Sequence, residues 1–158
     1  MRHLAILIGL ALALSPAIAQ DKPNFSGKWV LDTAASDFGD FPAPDSQINV
    51  VDHQEPNIHL TQTIRGEAVP GGEATSDRRY TTDAKENTNK IGGREIKSTT
   101  RWDNHKLVTI VKLETPDGTV EIKDSWELGG EGKQLVVTRD FKGPQGERNQ
   151  KLVFTKQK

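Results

Sequence analysis

Asp124 stands inside Val120-Glu121-Ile122-Lys123-Asp124-Ser125-Trp126-Glu127-Leu128, where every second residue except Asp124 is large and apolar. Alternation of period two marks a half-buried strand. The carboxylate therefore shares the inner face with Val120, Ile122, Trp126 and Leu128, while Glu121, Lys123, Ser125 and Glu127 face water. The next alternating run turns Arg139 inward beside Leu135, Val137 and Phe141. A carboxylate and a guanidinium in one interior are expected to pair, because a buried ion without a partner is costly. Proton transfer would need a further positioned acid or base, and Tyr80 is the inward candidate. The same reading turns Ile58, Leu60, Gln62 and Ile64 inward, then Ala74, Ser76, Arg78 and Tyr80. It does so again for Ile96, Ser98, Thr100 and Trp102, and for Arg148, Gln150, Leu152 and Phe154.

About half of this predicted interior is polar, whereas buried polar groups each need a partner. Two readings follow. One is a solid barrel around an Asp124–Arg139 pair. The other is a water-containing lumen that takes a ligand, since ligand sites combine apolar walls with a few placed polar groups. In the second reading Gln62, Arg78, Tyr80 and Asp124 orient the ligand's polar end. Ile96, Trp102, Ile122, Trp126 and Phe154 form walls, with Ser98 and Thr100 beside them.

The elements behind this interior are short β-rich runs over 24–31, 46–53, 57–65, 73–82, 86–90, 94–102, 106–114, 119–128, 134–142 and 147–156. Gly, Pro, Asn and Asp turns separate them, as at Pro116-Asp117-Gly118 and Gly143-Pro144-Gln145-Gly146. Short connections make neighbours antiparallel. So many strands argue for closure, which removes exposed edges. The expectation is a single closed antiparallel meander barrel of eight to ten strands, all-β, with no substantial helix. For the hairpin around Glu55-Pro56-Asn57, a three-residue loop sets Ile48 opposite Ile64 and Val50 opposite Gln62 on the apolar side. It also sets His53 opposite His59 on the outer face. Two exposed histidines without a third ligand do not make a metal site, and no inward histidine is expected to serve a haem. Between the first two runs, residues 32–47 carry small and turn-forming residues; Phe38 and Phe41 pin this loop down or cover a barrel mouth.

The chain has 158 residues, 21 Lys+Arg against 22 Asp+Glu and no cysteine. A net charge of −1 argues against nucleic acid as a partner. The absence of Cys excludes disulfides, thiolate metal sites and a lipid-modified N-terminal cysteine. No P-loop, G-x-S-x-G, H-E-x-x-H or dinucleotide fingerprint is present, so no cofactor is expected. Residues 1–19 read as a cleavable signal peptide: Arg2 and His3, an apolar run from Leu4 to Leu14, then Ala17-Ile18-Ala19 before Gln20. The apolar run is too short to span a bilayer. The expected organisation is a leader over 1–19 and one domain over 20–158, exported to the periplasm or secreted, with no membrane span after cleavage.

Asn24-Phe25-Ser26-Gly27-Lys28-Trp29-Val30-Leu31 carries a Gly-x-Trp signature at the start of the first run. It resembles the calycins, namely lipocalins, fatty-acid-binding proteins and avidins, and its F-x-G-x-W-x-L form resembles the opening of fatty-acid-binding proteins. From Phe-Ser-Gly-Lys-Trp to Lys-Leu-Val-Phe the chain looks like exported bacterial lipocalin-like proteins. The resemblance implies that Gly27 permits a close approach and Trp29 plugs one end. It also implies that a late-strand arginine packs across Trp29, with Arg139 first and Arg148 second. There are departures: no helix pair follows the first strand, and Thr82-Asp83-Ala84 lacks the Tyr of the lipocalin T-D-Y motif. The resemblance implies a fold and a compartment but no ligand. The leading expectation is an exported lipocalin-like protein binding a small apolar or amphipathic molecule. The alternatives are an interaction or inhibitor barrel with a filled interior and unknown protein partner, and thirdly an isomerase-type activity in the barrel.

Overall fold

The computed structural model describes residues 22–158. The leader expected over residues 1–19 lies outside them. Ten strands follow in order: β1 (Gly27–Leu31), β2 (Ser46–Gln54), β3 (Asn57–Arg65), β4 (Glu73–Thr81), β5 (Asp83–Ile91), β6 (Arg94–Asp103), β7 (Lys106–Thr115), β8 (Gly118–Gly129), β9 (Gln134–Gly143) and β10 (Gly146–Gln157). One three-residue 3-10 turn, Gly130–Gly132, joins β8 to β9. The run predicted over 86–90 is real and longer than its sequence suggests. The strands form one sheet in the order β4-β3-β2-β1-β10-β9-β8-β7-β6-β5. It curls into a nearly closed antiparallel barrel in which β4 and β5 are the two ends of the hydrogen-bonded order.

Across β8 and β9 the register sets Asp124 opposite Arg139 and Ile122 opposite Phe141, so the inward alternation expected for both strands holds. The β2–β3 hairpin differs from expectation. Gln54 pairs with Asn57, leaving the two-residue turn Glu55-Pro56, and Gln47 faces Ile64 while Asn49 faces Gln62. A slip of one residue moves every side chain of a strand to the other face. Gln47, Asn49, Val51 and His53 are therefore buried, and Val50 is 48% exposed. The amides tolerate burial because Asn49 Oδ1 accepts bonds from Gln47 Nε2 and from Gln62 Nε2, each 3.2 Å. The slip also separates the histidines. His53 faces Ile58, and His59 stays on the outer face, bonded to Asp77.

One end of the barrel is plugged. Phe25 and Trp29 are fully buried, and Trp29 Nε1 donates to the Phe25 carbonyl at 2.9 Å. Phe25, His53 and Trp102 form a triangle of rings with centroids 5.9–6.0 Å apart, and Phe25 meets Trp126 edge-on at 5.7 Å. Gly27 has φ +141°, and a Cβ there would lie 2.6 Å from Lys156 Cε, so the close approach expected at this glycine is present. The arginine expected across Trp29 is not. Lys156 Nζ lies 5.1 Å from that ring, Arg148 lies over Phe41, and Arg139 is inside the barrel with Asp124.

At the other end the segment after β1 folds over the mouth. Asp32 Oδ1 accepts bonds from the Ala34 and Ala35 N–H groups, Asp37 bridges Lys151 and Phe38 packs on the core. Phe41 packs on Phe141 at 4.8 Å.

Candidate functional site

Alternation in β3, β4, β8 and β9 brings Gln62, Arg78, Tyr80, Asp124 and Arg139 to one interior. Arg139 Nε and Nη2 donate to the two carboxylate oxygens of Asp124 at 2.6 and 2.7 Å. This two-point geometry is the strong form of an arginine–carboxylate contact, and the Asp124 charge holds Arg139 above its ordinary value. Asp124 is thus engaged by the protein. Arg139 is a lumen residue rather than the barrel-closing residue expected beside Gly27 and Trp29.

Arg78 is held differently. Its Nη2 donates to Gln62 Oε1 at 2.9 Å. Gln62 presents that oxygen because its amide nitrogen is committed to Asn49. A chain of amides from β2 through β3 thereby aims the guanidinium on β4. Arg78 Nε and Ser98 Oγ are buried with no hydrogen-bond partner among the described residues. The charged side chains lining the interior spaces are Arg78, Asp124 and Arg139, so the Asp124–Arg139 pair leaves the Arg78 charge uncompensated. Burial pushes the Tyr80 hydroxyl above its ordinary value against the opposing charge of Arg78, which keeps it protonated and able to donate.

The lumen is neither solid nor wide open. A pinch of about 20 Å³, lined by Leu60, Gln62, Tyr80, Trp126 and Phe154 among others, has room for little more than one water. Above it a chamber of about 240 Å³ is walled by Ile96, Ser98, Val111 and Ile122, with Arg78, Tyr80, Asn89 and Asp124 facing in. A recess of about 250 Å³ under Phe38 and Phe41 reaches Arg139 from the mouth.

Of the expected site residues, Gln62, Trp126 and Phe154 line the pinch, Ile96, Ser98 and Ile122 line the chamber, and Arg78, Tyr80 and Asp124 line both. Thr100 and Trp102 line neither. Thr100 is fully buried against Thr109, their hydroxyls 2.9 Å apart, and Trp102 sits in the plug with its Nε1 on Glu55. Alternation gives the face of a side chain but not its depth along the barrel, so it cannot separate these two from the walls. Gln47, Asn49, Asn89 and Thr109 also line the interior. The slipped register hides the first two, and the polar Glu86–Lys90 stretch has no alternation to reveal Asn89. His53 is the inward histidine that sequence reasoning misses. Its Nδ1 accepts from the Phe25 N–H at 3.2 Å and its Nε2 bonds Glu55 at 2.9 Å, which commits both ring nitrogens. Among the described residues no group of three His, Asp or Glu side chains is placed to hold a metal ion.

No family model matches the chain, and no curated protein matches it in sequence. Solved structures do match in shape. Zebrafish ileal bile acid-binding protein, crystallised with cholic acid, superposes with a TM-score of 0.60 at 18% identity over 84% of this chain and 98% of that one. A secretory abundant heat soluble protein of Ramazzottius varieornatus gives 0.63 at 18% identity over 84% and 94%. Secretory abundant heat soluble protein 4 of the same organism gives 0.61 at 17% over 88% and 98%. These likenesses show a calycin-like barrel fold.

Proposed function

We propose that this calycin-like barrel is an exported carrier or receptor for a small, partly apolar molecule with an anionic end. The observation that carries the reading is Arg78, which lines a chamber of about 240 Å³ together with Ser98, and whose buried Nε, like the Ser98 hydroxyl, has no hydrogen-bond partner among the described residues. A buried donor left without an acceptor is costly. A carboxylate, sulfonate or phosphate would satisfy Arg78, Ser98 and Tyr80 together, while Ile96, Val111 and Ile122 take the apolar body. The cholic acid bound by a neighbour of the same fold is a molecule of this kind. Export is supported by the leader pattern of residues 1–19.

A pair of dyes tests the reading. 1-Anilinonaphthalene-8-sulfonate is anionic, and N-phenyl-1-naphthylamine is its neutral relative. Arg78→Met should weaken the sulfonate about 10- to 100-fold, the span of a charge-assisted hydrogen bond, and leave the neutral dye unchanged. Equal binding of the sulfonate by both proteins, or no binding of it by the native protein, would sink the proposal.

A further inference from the structure

We propose that the tips of the β7–β8 and β9–β10 hairpins form a second ligand site, independent of the chamber, for a planar aromatic monocarboxylate. Each tip is a two-residue turn. Pro116-Asp117 is closed by Thr115 opposite Gly118, and Pro144-Gln145 by Gly143 opposite Gly146. The tips pack side by side because their glycines leave room. A Cβ on Gly118 would lie 3.0 Å from Pro144 Cγ, and one on Gly143 would lie 3.1 Å from Val120 Cγ2. A Cβ on Gly146 would meet nothing within 4 Å. This packing leaves a cleft of about 290 Å³, lined at Gly143 and Gly146 by bare backbone.

The rest of the lining is largely apolar and flat. Phe41 and Phe141 stand against each other with centroids 4.8 Å apart, and Val120 and Pro144 join them. Opposite residues of an antiparallel pair share a face, and Arg148 is opposite Phe141. Its guanidinium carbon lies 5.8 Å from the centre of the Phe41 ring, which braces the cation over the cleft. Among the described residues no carboxylate pairs with Arg148; the adjacent Glu147 is taken by Lys142 at 3.2 Å. Peptide planes, aromatic rings and a planar guanidinium together fit a flat aromatic acid, its ring on the floor and its carboxylate on the Arg148 fork. The volume is at the small end of ligand pockets, roughly 300–1,000 Å³, and suits one or two fused rings. Asp117 lines the same cleft, without an ion pair among the described residues. Its charge opposes an anion and disfavours a second one. The lining of the cleft shares no residue with that of the chamber, so the two sites are separable by mutation.

The probe is 2-naphthoate, and backbone amide shifts in NMR locate it. Titrated into the isotope-labelled protein, it should move the Gly143 and Gly146 amides to saturation. Arg148→Met should weaken the binding read at these amides about 3- to 10-fold, the span of a charge-assisted bond from an exposed arginine. Asp117→Asn should tighten it by removing the opposing charge. The neutral 2-naphthamide should bind the native protein and the Arg148→Met protein equally. The Gly143 and Gly146 shifts should persist in Arg78→Met, where naphthoate in the chamber would be weakened. Four results would each overturn the proposal. The first is no movement of the two amides up to the solubility limit of the probe. The second is equal affinity for naphthoate with and without Arg148→Met, and the third is weaker binding in Asp117→Asn. The fourth is loss of the Gly143 and Gly146 shifts in Arg78→Met, which would trace them to the chamber.

Discussion

Arg78 is the residue at which fold and function pull in opposite directions. Its Nε is buried without a hydrogen-bond partner among the described residues, so Arg78→Met should raise the thermal midpoint of the unliganded protein while reducing its affinity for the anionic dye. A lower midpoint in differential scanning calorimetry would mean the guanidinium is structurally satisfied. Glu55 carries the opposite balance. Burial alone would raise its carboxyl, but bonds from His53, Thr82 and Trp102 and the nearby Lys22 outweigh that and hold it below the ordinary 4.5. A depressed carboxylate contributes stability that is complete above its unfolded-state value and is lost as pH falls through its folded value. The plugged end should therefore loosen below about pH 4.5, the unfolded reference for Glu55. Trp102 fluorescence should follow the change, since its indole donates to Glu55. A Glu55→Gln protein should lack the acid transition, and an identical titration in both would remove Glu55 from the account.

At the scale of elements, Trp29 ties β1 to the plug: it is fully buried and its indole is bonded to Phe25. Trp29→Ala should cost about 3–5 kcal/mol, as large core truncations do. A loss under about 1 kcal/mol in denaturant unfolding would be a surface-like response and would rule out its role as the plug. Much of this architecture is legible in the alternation of single strands. β3, β6, β8, β9 and β10 each mix large apolar and polar residues with period two, β4 turns Arg78 and Tyr80 inward, and their faces are as expected. β2 reads one residue out of register because its apolar Ile48 and Val50 face outward, while its amides and His53 face in. Their burial depends on partners on β3, on the N-terminal segment and at Glu55, which no local pattern reveals. The packing on Trp29 is hidden for a similar reason. A lysine from β10 serves there, while the inward arginine pairs with the inward aspartate. The two joints between β4 and β5 are equally hidden, since Asn87 and Asn89 lie in the wholly polar stretch Glu86–Lys90, where no apolar alternation marks a face.

For the whole molecule, the leader reading predicts that the chain recovered from the export compartment begins at Gln20, with a mass short by residues 1–19. An intact Met1 in that fraction, read by mass spectrometry, would refute cleavage at this site. The order of the sheet has a consequence for how the chain could be written. Its single non-consecutive neighbour pair is β1 with β10, which sets Lys28 opposite Gln157. Linking Lys158 to Lys22 and cutting after Thr82 would give a chain that runs from β5 to β10 and then from β1 to β4. Every hydrogen-bonded neighbour in it would be consecutive. The native protein is thus a circular permutation of a plain meander, cut where the two most distant parts of the chain must find each other. The permuted chain should refold faster in stopped-flow experiments, because all its backbone ladders become local and only the ladder-free β4–β5 joint becomes long-range. A slower permutant would mean that β1 and β10 meet early and organise the rest.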